Sequence, residues 1–426
     1  MPLRCFGPLV GLVLLFSACR HGAEGPPVPR SGPWRMVFTL RDTIAGTDHQ
    51  LPFLFDLDHN SSSWRMHIHN GAEDIAVDEI TLRGDSLRIR MPLYDSEFIG
   101  VVRNDSTITG DWHNYLKGPN YRIPFTASAG AAPRFTKAPA PGRLAADHWE
   151  AYFGADSTNR HAAIGLFTEI NGRVTGTFAT ETGDHHFLDG MVSSDSLYLS
   201  SFNGSQALLF AAALRGDSLI GRCWSGIHYQ EPWVAHPNPS FALRSADSLT
   251  FLRKGHAMVD LRFPDVEGGQ VSLKAPEHRN KVVLVQIMGS WCGNCVDETL
   301  LLNELYARHH QEGLDILGIA FERQTDSLKA VDALKRFRKR LGVAYPIAYA
   351  GTADKHTGEK LPFLDHFMGY PTCIFIGRDG VVRRIHTGFY GPGTGEERYA
   401  AYKRDLKRSI IALLAEGTPA LVNTSR

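Results

Sequence analysis

The chain has 426 residues, 43% hydrophobic and 21% charged, with 45 Lys+Arg against 45 Asp+Glu. That length predicts two or three domains, each able to bury a core, and excludes both a disordered chain and a disulfide-stapled miniprotein. No basic excess or basic block is present, which removes nucleic acid as a partner class, and six cysteines are too few for a disulfide framework.

At the N-terminus, Arg4 precedes an apolar run from Phe6 to Phe16 that reads as the core of a signal peptide. As a helix such a run reaches about 16 Å, against roughly 30 Å of hydrocarbon, so it is not expected to span a bilayer. Phe16-Ser17-Ala18-Cys19 places small residues before a cysteine. This resembles the lipobox of bacterial lipoproteins, and the resemblance implies cleavage before Cys19 and a lipid on Cys19. Residues 1–19 are therefore read as a lipoprotein signal peptide and 20–33, rich in Pro and Gly, as a tether from the membrane. Everything after the tether is expected on the outer side of that membrane.

Residues 34–128 and 148–250 carry short runs that alternate apolar and polar residues, broken by turn dipeptides such as Asn70-Gly71, Asn171-Gly172 and Asn203-Gly204. Both stretches predict antiparallel β structure. They also resemble each other: Trp34 matches Trp149, Asp85-Ser86-Leu87 matches Asp195-Ser196-Leu197, and Asp105 to Trp112 matches Asp217 to Trp224. The similar offset, roughly 110–115 residues at all three points, predicts a duplicated β-module, with 129–147 as the linker between copies. His67 and His69 share a strand face but lack a third ligand, so no metal site is expected there. Arg83-Gly84-Asp85 and Arg215-Gly216-Asp217 sit at equivalent repeat positions and read as turns rather than adhesion signals.

From 255 to 416 the pattern changes to alternating strands and helices, the mark of an α/β domain, and 417–426 are a tail. Strands are predicted at Lys281 to Met288, Leu314 to Phe321 and Val343 to Tyr349. Helices are predicted at Cys292 to His310, Asp326 to Leu341 and Gly395 to Leu414. A hairpin crosses Gly377 to Gly380. Trp291-Cys292-Gly293-Asn294-Cys295 falls between a buried strand and a helix. A cysteine at a helix start meets unpaired backbone N–H groups and the positive dipole end, which favour the thiolate. Cys292 is thus the expected nucleophile, and Cys295, one turn later and deeper, the residue that resolves the mixed disulfide. A structural zinc site would need a second ligand pair, and no other CxxC, HxxC or CxxH occurs.

Residues of about 256–415 resemble the thioredoxin superfamily and, within it, the membrane-anchored TlpA-like thiol-disulfide reductases. The resemblance rests on Trp291 to Cys295 with Glu298 three residues on, on Gly369-Tyr370-Pro371-Thr372 before a strand, and on Phe263-Pro264-Asp265 with Val271-Ser272-Leu273. It implies a cis-Pro371 facing the cysteines and substrate contacts from Trp291, Tyr370, Pro371 and Thr372. It also implies that Glu298 serves the thiols, since Gln286 stands where thioredoxins carry a buried aspartate. No cofactor is implied beyond a redox-active Cys292–Cys295 disulfide. The implied partners are oxidised protein substrates and a transmembrane thiol electron donor. The resemblance departs at Leu300, where the family often has proline, and it does not reach the β half.

Two rivals follow from the same residues. A peroxiredoxin would resemble Pro-x-x-x-Thr/Ser-x-x-Cys, but Val285 and Gly289 stand at those positions. A ligand- or partner-binding surface lipoprotein would make the β-modules the working part and the redox domain accessory. The expected fold is therefore multidomain, an all-β antiparallel N-terminal region followed by an α/β thioredoxin-like domain.

Overall fold

The computed structural model describes residues 25–416 apart from 43–45, 61–62, 137–141, 157 and 159. The signal run, Cys19, the start of the tether and the 417–426 tail lie outside the described residues.

The first β region is one up-and-down antiparallel sheet in which the strand Gly32–Asp42 pairs with Thr47–His59 on one side and with the last strand, Arg122–Ala129, on the other. Its alternating residues Trp34, Met36, Phe38 and Leu40 are all buried, as a period of two requires for a sheet with one face in a core. The second region repeats this plan: His148–Phe153 pairs with both His161–Ile170 and the last strand, Tyr229–Pro237. Here Arg173–Thr180 pairs with both His161–Ile170 and Leu188–Ser193, which closes the sheet into a barrel. Asn171 and Gly172 take positive φ of 53° and 82° in a hairpin turn. Both Arg-Gly-Asp tripeptides likewise form turns between paired strands.

The two β regions are not beads on a string. Phe202, Ala207, Leu209 and Trp224 of the second belong to the same buried cluster as Phe38, Phe53 and Trp112 of the first. Phe202 stacks on Phe53 with ring centroids 4.7 Å apart. The stretch expected to be a plain linker contributes to this union, because Arg134 is buried within it. Its guanidinium donates to Pro52 O at 3.3 Å, to Ser200 Oγ at 3.1 Å and to His69 O, so it ties both sheets together.

The C-terminal domain has a five-stranded sheet. Its elements are β1 (Val282–Met288), α1 (Gly293–His309), β2 (Leu314–Glu322), α2 (Ser327–Leu341), β3 (Ile347–Thr352), β4 (Thr372–Ile376), β5 (Val382–Thr387) and α3 (Glu396–Ala415). The strand order is β3-β2-β1-β4-β5, with β1, β2 and β3 parallel, β4 antiparallel to β1, and β5 antiparallel to β4. β1 and β2 are buried along their whole length, as central strands covered on both faces must be. A short pair, Arg262–Pro264 with Gln270–Ser272, precedes β1 at the place where the sequence reads a hairpin.

The third strand starts four residues later than expected from the apolar run at Val343. Gly342 ends α2 at φ 62°, the Val343 amide bonds back to Arg338 O at 3.0 Å, and Pro346 has no N–H to give a ladder. Among the described residues no helix is long and apolar enough to cross a membrane.

Candidate active site

β1 carries the chain to the end of the central strand, where Gly289 to Trp291 turn it into α1. Gly289 is required there: a Cβ would lie 2.6 Å from Phe321 O and against Trp291 Nε1. The hydroxyl residue of a peroxiredoxin-like motif has no room at this position. Cys292 is the N-cap of α1, with extended φ and ψ of −96° and 114°, and its Sγ accepts the Cys295 amide at 3.3 Å. That bond and the helix dipole both favour negative charge on sulfur. Cys292 is 9% exposed and Cys295 fully buried, and both are in the thiol state. Burial first, and then the neighbouring Cys292, holds the Cys295 thiol well above the ordinary cysteine range.

Across from the cysteines the Tyr370–Pro371 peptide is cis. Trp291 is half-buried and held on three sides. Its Nε1 donates to Phe321 O at 2.9 Å, its ring meets Tyr370 edge-on at 5.4 Å, and the Arg323 guanidinium lies 3.8 Å over it. The Tyr370 hydroxyl donates to Thr357 Oγ1 at 3.0 Å, which fixes the loop. Thr372, named with these residues from the sequence, is fully buried and turned inward, donating to Gly369 O at 2.7 Å. Its strand is paired on both sides, so Thr372 is a structural residue of β4 and not the substrate contact expected from the resemblance.

Beneath the cysteines Glu298 is buried and accepts from Gln286 Nε2 at 2.9 Å. Gln286 is in turn held by Thr299, whose hydroxyl lies 3.2 Å from Gln286 Oε1, and by the Tyr345 hydroxyl at 3.2 Å. Burial pushes the Glu298 carboxyl up to about 8, with the Gln286 bond opposing. A second buried acid, Glu322, accepts from Ser290 N and Oγ, each at 2.7 Å, and burial pushes it up to about 7. Cys373 and Cys223 are buried free thiols, each raised above the ordinary range chiefly by burial.

The β regions also reach this site, which nothing in the residue pattern signals. Asn294 Nδ2 donates to Asp184 O at 3.2 Å, and the Gly391 amide donates to Asp184 Oδ2 at 2.6 Å. His186 Nδ1 lies 3.5 Å from Asp297 Oδ2. Ser205 Oγ donates to Trp291 O at 3.0 Å, and Tyr94 of the first β region packs against the redox core. Burial pushes Asp297 up to about 6. Contacts of this kind join residues 86 or more positions apart, and no local periodicity or spacing encodes them. Among the described residues no group of three or more His, Cys, Asp or Glu is placed to hold a metal. His67 and His69 face Asp74 and Asp56, each at 2.9 Å.

A β3-β2-β1-β4-β5 sheet, a CxxC at the head of α1 and a cis X-Pro peptide before β4 give the C-terminal domain a thioredoxin-like fold. Among known proteins, residues 254–385 match the AhpC/TSA family. A thiol-disulfide oxidoreductase ResA of Bacillus thuringiensis is 30% identical over 118 residues, 28% of this chain and 60% of that protein. Its counterpart in Geobacillus kaustophilus is 26% identical over 139 residues, 33% of this chain and 72% of that one. Among solved structures, a putative thiol:disulfide interchange protein DsbE of Chlorobium tepidum is 25% identical and covers 38% of this chain and 99% of its own, with a TM-score of 0.30. The chain thus spans 60% of the length of the first of these ResA relatives, and the likeness is confined to its C-terminal domain.

Proposed function

We propose that the protein is an extracytoplasmic, lipid-anchored thiol-disulfide oxidoreductase that reduces protein disulfides through Cys292 and Cys295. The observation that carries this reading is the placement of Cys292 as N-cap of α1 with Cys295 buried behind it and cis-Pro371 opposite. The Cys292 thiolate attacks one sulfur of a substrate disulfide, and the other sulfur leaves as a thiolate and takes up a proton. Cys295 then loses its proton, attacks Cys292 Sγ and frees the second substrate thiol. The substrate has gained two electrons and the protein holds a Cys292–Cys295 disulfide. A membrane thiol donor must restore the dithiol, since the outer compartment is oxidising. Trp291, Tyr370 and Pro371 would line the substrate chain, and Glu298 would exchange a proton with the thiols.

Cys19 would hold the lipid. The two β regions are read as copies of one module; both place their first strand between the second and the last, which supports that reading. Their packing onto the redox domain favours a part in the exchange over an independent binding role.

Trapping tests the thiol assignment. Cys292→Ser should abolish disulfide reduction, and Cys295→Ser should accumulate a mixed disulfide through Cys292. An adduct formed by the Cys292 variant and not by the Cys295 variant would reverse the roles. The redox potential tests direction: equilibration with glutathione should give a value toward the thioredoxin end of about −270 mV, and one near about −120 mV would make the protein an oxidant.

A further inference from the structure

Three loops border the exchange site: the start of α1, the Gly369–Pro371 loop and the turn after β5. In this protein the segment 181–187 of the second β region lies on all three. A Cβ on Gly369 would sit 3.2 Å from Thr182 Cγ2, and one on Gly388 would sit 2.9 Å from Glu181 O. A Cβ on Gly293 would strike the His186 ring, and one on Gly183 would strike the Asn294 amide. Missing side chains on both surfaces let the backbones meet closely, and Asp184 fastens them through the Gly391 and Asn294 bonds. Cys292 is 9% exposed beneath this cover.

We infer that segment 181–187 is a specificity-determining strap: it fills the groove where a substrate chain would lie, so small disulfides reach Cys292 with the strap in place and protein disulfides only when it moves. The inference rests on the thiol-exchange reading and adds the size selection that the β regions impose on it. The strap brings the buried Asp184 and His186 and, from the first β region, the part-exposed Glu73 near Asp297 of α1, three carboxyl groups around one imidazole. Burying unbalanced charge weakens an interface of this size. The backbone bonds that hold it are few and lie at the tip of a two-residue strand, Gly183–Asp184.

The test uses the full-length reduced protein and two reagents with the same reactive group, N-ethylmaleimide and a polyethylene-glycol maleimide, with modification read at Cys292 by peptide mass spectrometry. A strap open about one-tenth of the time slows the bulky reagent about tenfold relative to the small one. Gly183→Val, which drives a branched side chain into Asn294, and Asp184→Ala, which removes the Gly391 bond, should each erase most of that difference and leave the small reagent's rate unchanged. Equal rates for both reagents in the wild type would overturn the strap, as would an undiminished difference in both folded variants.

Disulfide turnover separates the two readings. Variants whose Cys292 is open yet reduce neither glutathione disulfide nor insulin would overturn the proposed function and leave the strap standing. Insulin reduction equally fast in wild type and variants would overturn the strap and leave the function standing.

Discussion

Glu298 shows how one side chain's chemistry is set by what surrounds it. Its place one helical turn beyond Cys295 is legible from the sequence, because a spacing of three keeps two residues on one helix face. Its burial is not legible, since Gln286, Tyr345 and Tyr402 come from three other parts of the chain to enclose it. With its carboxyl pushed up to about 8 by burial, Glu298 carries a proton at neutral pH and can hand it to a departing thiolate. Glu298→Gln should therefore remove an inflection near pH 8 from the pH profile of exchange; an unchanged profile would leave another group as the proton carrier. The same shift fixes a stability effect. A carboxyl whose folded-state value lies above its unfolded one near 4.5 favours the folded state fully below that value and loses its contribution as pH rises through about 8. Between pH 4.5 and 8 the wild type should lose melting temperature more steeply than Glu298→Gln, and parallel curves would refute the assignment.

At the level of elements, most of the C-terminal domain is legible because each piece carries its own signal: α1 follows from apolar spacing, and α2 from a charged face with Asp326 as its N-cap. That cap accepts from Leu328 N at 3.0 Å and Lys329 N at 3.3 Å, so Asp326→Ala should cost about 1 kcal/mol by urea denaturation. β3 was misplaced because an apolar run does not reveal that Pro346 withholds a donor. The strap escapes sequence reading for a different reason: its residues satisfy the hairpin pattern of their own barrel and acquire a second role only through docking.

That docking has a sign with pH. The groups that face one another are Glu73, Tyr94, Asp184 and His186 from the β regions, and Cys292, Asp297, Tyr390 and Tyr399 from the redox domain. Burial raises Glu73, Asp184 and Asp297, the last to about 6. Burial alone would lower His186, but the carboxylates around it raise it. All four shifts mean that closing takes up protons, so closure is favoured in acid and weakens as pH rises through about 6. The ratio of bulky to small maleimide rates at Cys292 cancels the thiolate fraction and should climb across that window. A flat ratio would show that this charge group does not govern the strap.

Across the whole molecule, the division into a β half and an α/β half is visible in the change of residue periodicity, whereas the way the parts are bound together is not. The Ala/Pro-rich stretch between the β regions reads as a spacer, yet Arg134 within it is enclosed by both sheets and lies 3.6 Å from Asp189. Burial lowers its guanidinium to about 10, a measure of how much solvation it has given up. Such a group is held by the carbonyls of Pro52 and His69 and by Ser200; removing it takes a donor from His69 O and Ser200 Oγ inside the interface, while Pro52 O keeps the Ser200 hydroxyl. Arg173 still faces Asp189 at 2.9 Å, so Arg134→Ala does not strand that carboxylate, and the expected cost falls at the lower end of the range for a broken buried pair, about 3 kcal/mol. The tryptophans make the loss measurable: Trp34, Trp64, Trp112, Trp149, Trp224 and Trp233 lie in the β regions and only Trp291 in the redox domain. Fluorescence in urea should show an early β-region transition in Arg134→Ala. Because Asp184 and Ser205 are anchored in that region, Cys292 should become open to the bulky maleimide at the same urea concentration. A fluorescence midpoint equal to that of the wild type would mean that the shared apolar core around Phe202 holds the β regions together without Arg134.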